Sequence, residues 1–353
     1  MSRFFSEKYA DLEAYVPGEQ PKDQQYIKLN TNENAYPPHP AVAEAAARES
    51  AKLHLYSDPE CRDLREALAK RLELKPEELV LTNGSDEVLN FAFMAFCDQH
   101  IPAVFPDVTY GFYPVFAKVN QVPYREIPLT DQLTIRVKDY LHAAGTIFIA
   151  NPNAPTGIAL SRAQIEEILQ ANPYNVVVVD EAYVDFGAES CLPLIREYDN
   201  LLVTQTFSKS RSLAGGRLGL GASNPDIIRD LNTIRYSTNP YNLDSLTLAA
   251  GIACIRHDDY HMKNCRLISR TRERTRQALA KLGFEITPSQ ANFLFARHPE
   301  MSGEELYREL KVRGILVRHF SGERILDYIR ISIGTEEQMN TLVGTLKEIL
   351  KKD

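Results

Sequence analysis

Val176-Val-Val-Val-Asp180-Glu-Ala-Tyr183 and Thr206-Phe-Ser208-Lys209-Ser-Arg-Ser-Leu-Ala-Gly-Gly-Arg217 are the two stretches from which the rest of this chain can be understood. The first is a run of β-branched residues, the composition of a strand covered on both faces in a parallel sheet, and a carboxylate and a phenol stand where it ends. The second brings a hydroxyl, an amine and a guanidinium close together in sequence. Singly these are ordinary, since most Lys and Arg solvate a surface and Asp commonly closes a parallel strand. In this order they describe a binding site.

Outward from this pair, strand-like runs at 79–81, 103–105, 146–150, 176–179, 201–204 and 218–222 alternate with helical spacing at 62–72 and 88–97. Alternation of this kind predicts a mostly parallel sheet in an αβα sandwich, an α/β fold. Ser161-Arg-Ala-Gln164 has the spacing of a capping box, opening a helix between two of the strands in a βαβ unit. Beyond about residue 243 the pattern changes to long helical stretches, then shorter strands at 291–296, 315–318 and 328–333 and a last helix from Thr335. A smaller α+β domain is expected there. Residues 1–30, with Pro17, Gly18 and Pro21, carry no clear period and read as an arm. The expected division is an arm at 1–30, a large domain at 51–254, and a small domain made of 31–50 with 255–353.

Composition excludes several classes. A chain of 353 residues with 44% hydrophobic and 25% charged residues is an ordinary globular protein. A net charge of −7 without basic clustering argues against a nucleic-acid surface. The five cysteines, an odd number with no Cys-x-x-Cys pair, fit reduced thiols better than disulfides or a metal site, so no metal is expected. The first residues lack the apolar core of a signal peptide, and no run reaches the ~18 apolar residues of a membrane span. The expectation is a cytoplasmic enzyme with no membrane partner.

The residues in the two opening stretches suit pyridoxal 5′-phosphate. Its aldehyde needs a lysine, its ring nitrogen a carboxylate, and its phosphate a hydroxyl with an arginine. Thr82-Asn-Gly84-Ser85-Asp86-Glu87 follows a strand and opens a helix, where free amides and the helix dipole favour a phosphate; the plain alternative is an N-cap. Tyr110, in an aromatic loop after a strand, could stack on a flat ring or simply pack as a half-buried tyrosine. Asn151-Pro-Asn153-Ala154-Pro-Thr-Gly157 is a stiff turn at a strand end, where open α/β sheets bind ligands.

From end to end the chain resembles the histidinol-phosphate aminotransferase family, within the fold-type-I pyridoxal-phosphate enzymes. The resemblance is carried by Lys28-Leu-Asn-Thr-Asn-Glu-Asn34, Leu55-Tyr56-Ser-Asp-Pro59, Gly84-Ser-Asp-Glu87, the turn at 151–157, Asp180-Glu-Ala-Tyr183, Ser208-Lys209, Gly216-Arg217-Leu-Gly219, Arg318 and Ile329-Arg330-Ile-Ser. It implies that Lys209 bonds the cofactor aldehyde, Asp180 pairs with the ring nitrogen and Tyr183 hydrogen-bonds the phenolic oxygen. It implies that Ser208, Arg217 and the amides at Ser85 and Asp86 hold the phosphate, that Tyr110 lies on the ring, and that Tyr56 reaches the cofactor of a neighbouring subunit in a homodimer with shared sites. Arg330 would bind the substrate's carboxylate or phosphate, with Tyr15, Tyr241 and Arg318 as looser matches near the substrate phosphate. The implied reaction is reversible amino transfer between histidinol phosphate and glutamate or 2-oxoglutarate. Where most relatives carry Asn before Pro-Thr-Gly this chain has Ala154, so Tyr183 alone, Asn153 or a water would serve the phenolic oxygen. Tyr56-Ser57 stands where Tyr-Pro is usual. The competing readings are an aromatic amino-acid aminotransferase, a threonine-phosphate decarboxylase, and a regulator that binds the cofactor without catalysis; the acidic charge and the short segment before the match weigh against the last.

Overall fold

A computed structural model describes residues 2–10 and 12–351. The arm ends in a short strand β1 (Ile27–Lys28), followed by helices α1 (Pro40–Glu49) and α2 (Arg62–Leu72). Next come β2 (Leu79–Asn83), α3 (Ser85–Phe96), β3 (Ala103–Pro106), α4 (Tyr113–Val119), β4 (Tyr124–Ile127), β5 (Thr146–Ala150), α5 (Arg162–Ala171), β6 (Val177–Asp180), β7 (Leu201–Thr206) and β8 (Leu218–Ala222). Helices α6 (Pro225–Thr238), α7 (Ser245–Arg256) and the long α8 (Asp258–Ala280) lead into β9 (Glu285–Ile286), β10 (Phe293–Arg297), α9 (Gly303–Val312), β11 (Ile315–Leu316), β12 (Arg318–His319), β13 (Tyr328–Ser332) and α10 (Glu336–Ile349).

Strands two to eight form one seven-stranded sheet in the order β2-β8-β7-β6-β5-β3-β4, in which β8 runs antiparallel to both neighbours. Alternation along the strands builds two cores. Ile147, Val177, Val179 and Val203 face α2, α5 and α7, whereas Phe148, Val178 and Leu202 face α3, α4 and α6. With both faces covered, the central strands are apolar throughout, as the valine run implies. A four-stranded sheet, β12-β13-β10-β9, packs against α8, α9 and α10 around a third core that includes Leu294, Ile329, Ile331 and Leu342.

Several elements differ from expectation. The valine strand starts at Val177 and includes Asp180, because Val176 is only partly covered. The run at 315–318 is divided: Ile315 and Leu316 pair in parallel with β1 of the arm, whereas Arg318 and His319 pair with β13. Strand β4 carries no apolar run in sequence because it is an edge strand with Tyr124, Arg125 and Glu126 exposed. Helix α1 packs along α7, and its Val42 joins the core of the large sheet. We therefore propose that α1 belongs with 51–254 in the large unit rather than with 255–353 in the small one. The arm touches both: Tyr15 stacks on Phe112, and Glu19 pairs with Tyr307 and Lys311.

Topology gathers the functional loops. The carboxyl ends of β3, β5, β6 and β7 point one way, and the antiparallel β8 begins at that same edge, with Arg217 immediately before it. Strand β2, parallel to β7, ends there too and feeds the N-terminus of α3. Behind this edge the loop after Lys209 is tied down by Arg211, a buried guanidinium paired with Asp185 at 3.0 Å and Asp258 at 3.1 Å, while Asp258 also accepts from Arg71 at 2.6 Å.

Removing one member of a buried ion network strands the others without a counter-charge. Arg211→Met is expected to lower stability by about 3–5 kcal/mol in urea unfolding. Arg276→Ala, which deletes the exposed pair with Glu273, is expected to cost no more than about 1 kcal/mol.

Candidate active site

Two adjoining cavities open at the carboxyl edge of the large sheet. The inner one, about 240 Å³, is lined by Ser85, Asp86, Asp180, Ser208 and Arg217; the outer, about 520 Å³, by Tyr15, Arg318, Phe320, Arg324 and Arg330. Thr31, Tyr110, Ala154, Tyr183 and Lys209 form the wall common to both.

At the floor of the inner cavity Asp180 is buried, accepting from the Ala182 N–H at 3.1 Å and from the Tyr113 hydroxyl at 3.4 Å. Burial, with the nearby Asp86 carboxylate adding to it, pushes its carboxyl up to about 7. A carboxylate in that state calls for a cation. Lys209 donates to the Thr31 carbonyl at 3.1 Å, and its Nζ stands 6.0 Å from the centre of the Tyr183 ring. Burial and the Arg330 guanidinium pull its amine down to about 8, so a sizeable share of it is neutral and nucleophilic near neutral pH.

At the other end of the inner cavity Arg217 approaches Asp86 at 3.3 Å and the Ser208 hydroxyl at 3.4 Å, while Thr206 donates to Ser208 at 3.0 Å. Gly84 has φ +76°, and a Cβ there would lie 2.6 Å from an Arg217 nitrogen. A Cβ on Gly219 would lie 2.3 Å from the Ser85 nitrogen. Two glycines thus let β8 and the start of α3 close up into an anion cup, with first-turn amides directed inward by helix geometry. Tyr110, whose hydroxyl donates to Asp86 at 2.7 Å, forms a side wall, and burial beside that carboxylate pushes its phenol up.

In the outer cavity Arg330 lies between the rings of Phe293 and Phe320, 5.4 and 5.5 Å from their centres, and donates to the Asn30 carbonyl at 3.2 Å. Among the described residues its buried Nε has no partner. Arg318 donates to the Val16 and Pro17 carbonyls at 3.3 Å, which brings the arm and Tyr15 over the opening.

The remaining expected residues lie elsewhere. Asn153 is turned away from both cavities: its amide donates to the Val108 carbonyl and to Thr156 Oγ1, and its oxygen accepts from Thr109. Those bonds use it to hold two loops together, so it cannot replace the absent asparagine side chain at Ala154. Tyr56 and Tyr241 stack on each other at 4.5 Å on the outer surface, Tyr56 being 83% exposed. Residues 30–34 received no role from the sequence, yet Asn32 donates to the Tyr183 hydroxyl at 3.0 Å and Asn34 to the Lys209 carbonyl at 2.8 Å. The sequence signals there were a polar, asparagine-rich run after Leu29 and the family resemblance of residues 28–34, neither of which assigned a role.

This donor set fits a phosphorylated pyridine aldehyde: an amine for the aldehyde, a buried carboxylate that needs a cation, and an anion cup on the same cavity. Among the described residues no cluster of His, Cys, Asp or Glu could hold a metal, and no helix is long and apolar enough to cross a membrane. Residues 24–346 match the family model described as aminotransferase class I and II. The chain is 47% identical, over 99% of its length and 100% of the relative's, to "Histidinol-phosphate aminotransferase 1" of Bradyrhizobium diazoefficiens. The chain belongs to the histidinol-phosphate aminotransferase family, within the class I and II aminotransferases. A second relative in that family, from Chromohalobacter salexigens, is 49% identical over 99% of this chain and 100% of its own. Among solved structures, the family member from Sinorhizobium meliloti in complex with pyridoxal-5′-phosphate superposes with a TM-score of 0.85, at 25% identity over 93% of this chain and 92% of that one.

The lowered Lys209 amine is open to direct measurement. With an amine-selective reagent, its labelling rate is expected to rise with pH and level off above about 8, while surface lysines keep climbing toward ~10.4. Peptide mapping across a pH series checks it.

Proposed function

We propose that this chain catalyses reversible amino transfer between L-histidinol phosphate and 2-oxoglutarate, giving imidazole acetol phosphate and glutamate, with pyridoxal 5′-phosphate as cofactor. The observation that carries this function is the full-length identity of 47% to 49% with histidinol-phosphate aminotransferases, joined to a site where Lys209 and Asp180 share one cavity and Arg330 faces the next.

The cofactor, when bound, supplies an aldehyde that holds the substrate amine and a ring that takes up the electron pair left as the Cα–H bond breaks. Asp180 keeps the ring nitrogen protonated, since a buried carboxylate and a cation lower each other's cost of burial. Lys209 would hold the cofactor's aldehyde and, as the amine lining both cavities, would serve as the base that moves the proton at substrate Cα. Ser208, Arg217 and the Ser85 and Asp86 amides would hold the phosphate, Tyr110 would lie against the ring, and Tyr183 would donate to the phenolic oxygen. Arg330 is the anchor for two different anions, the phosphate of histidinol phosphate and a carboxylate of glutamate. A planar guanidinium can grip either with two bonds. Tyr15 and Arg318 close the substrate side. Tyr56, with Tyr241 stacked beneath it, is offered to a neighbouring copy, and the functional unit is a homodimer working in the cytoplasm.

The test is the half-reaction. Histidinol phosphate added to cofactor-loaded protein is expected to abolish the cofactor's visible absorption within seconds, and 2-oxoglutarate to restore it. Conversion that is fast with phenylalanine and slow with histidinol phosphate would move the chain to aromatic substrates. Release of carbon dioxide from threonine phosphate would make it a decarboxylase. Arg330→Lys is expected to slow both half-reactions at least tenfold through loss of the bidentate grip, equivalent to about 1.4 kcal/mol in each transition state; an effect on one alone would contradict a shared anchor.

A further inference from the structure

Asn32 stands in left-handed backbone at φ +56°, a conformation that asparagine tolerates better than most residues. Its N–H thereby reaches the Ser332 hydroxyl at 2.8 Å, its carbonyl accepts from Asn292 at 2.9 Å, and its side chain lies against Tyr183. Ser332 sits two residues along β13 from Arg330, on the same face of the strand.

The polarity of this cluster follows from its donors. The Ser332 oxygen accepts the Asn32 N–H, and its own proton goes to Asn32 Oδ1 at 3.0 Å. Reversing the carboxamide would set its NH₂ against the serine and deprive the serine proton of that acceptor. Nδ2 therefore faces Tyr183 and donates to its hydroxyl at 3.0 Å. The tyrosine oxygen is an acceptor on that side, so its proton must leave in another direction, and Tyr183 lines both cavities. Ala154, on the same cavity wall, has only a methyl to offer.

We propose that Asn32 is a positioning residue: oriented by Ser332, it commits the Tyr183 hydroxyl proton to the cavity, making Tyr183 the donor to the cofactor's phenolic oxygen where Ala154 supplies none. The assignment rests on the cofactor reading above. It also accounts for how this chain works with alanine before Pro155: the direction of a single phenol proton is fixed from behind by a serine and an asparagine.

The readout is the pH midpoint of the visible band of cofactor-loaded protein. A wild-type band that disappears in Lys209→Ala supports the cofactor reading, and a wild-type protein without such a band overturns that reading and this assignment with it. Given the band, Asn32→Ala is expected to raise the midpoint by about one pH unit, because a phenolic oxygen without a committed donor holds the neighbouring proton more tightly. Tyr183→Phe is expected to do the same, and the double variant to shift no further, since both changes remove one interaction. Ser332→Ala, which frees the carboxamide to turn, is expected to move the midpoint in the same direction by less, and it carries the test if Asn32→Ala does not fold. A midpoint unchanged in folded Ser332→Ala and Asn32→Ala, or a double variant equal to the sum of the single ones, would overturn the role of Asn32 while leaving the cofactor reading intact.

Discussion

A carboxylate held dry at the end of a strand governs this structure. Asp180 closes β6 with apolar residues on both faces of the sheet, and the partners it has are one amide N–H and one distant phenol. That leaves its ionised form under-stabilised until a cation arrives, which is why its carboxyl sits near 7. Lys209 is the mirror case, an amine whose charged form burial disfavours. Burial thus disfavours the charged form of both groups. A ligand that brings a cationic ring nitrogen and an aldehyde relieves both.

The reversed strand β8 is the second constraint. In an all-parallel sheet, the residue preceding a strand would lie at the edge opposite the carboxyl ends. Running β8 backwards puts Arg217 at the functional edge, opposite Ser208, and places β2 so that α3 begins there too. Gly219 is required because β8 passes the start of α3 closely enough that a methyl would overlap the Ser85 nitrogen. The cup for an anion is thus a product of strand direction and of two missing side chains, at Gly84 and Gly219.

The large sheet could be read from sequence wherever its strands are apolar on both faces, as at Thr146–Ala150 and Leu218–Ala222. It could not be read at Tyr124–Ile127, where three of four residues face solvent, nor in the two-residue pairings of Ile27 and Arg318, which hold by tertiary contact rather than by pattern. Asp180, Lys209 and Arg217 stood out because ionisable side chains at strand ends are chemically distinctive. Asn32 and Thr31 did not, since one acts through a carboxamide and the other through a backbone carbonyl, on partners 151 and 178 residues away. Asn153 is the opposite case: a polar residue in the right turn whose amide donors and oxygen bond to Val108, Thr156 and Thr109 rather than facing a cavity.

Residues 30–34 bond to residues that adjoin both sheets. The Asn30 carbonyl takes Arg330 from β13, the Thr31 carbonyl takes the Lys209 amine, and Asn34 caps the carbonyls of Lys209 and Ser210. Lys209 follows a strand of the large sheet and Arg330 lies on a strand of the small one, and this five-residue segment bonds to both. Without the Lys209 bond to Thr31, the segment is still held by Arg330, by Asn34 and, through Asn32, by Ser332, Asn292 and Tyr183. The arm that continues from Asn30 through Gly18 to Tyr15 forms the outer wall of the same cavity. Lys209 and the covering of the outer cavity therefore share one segment, bonded through its backbone carbonyls at Thr31 and Asn30, which no side-chain substitution would remove.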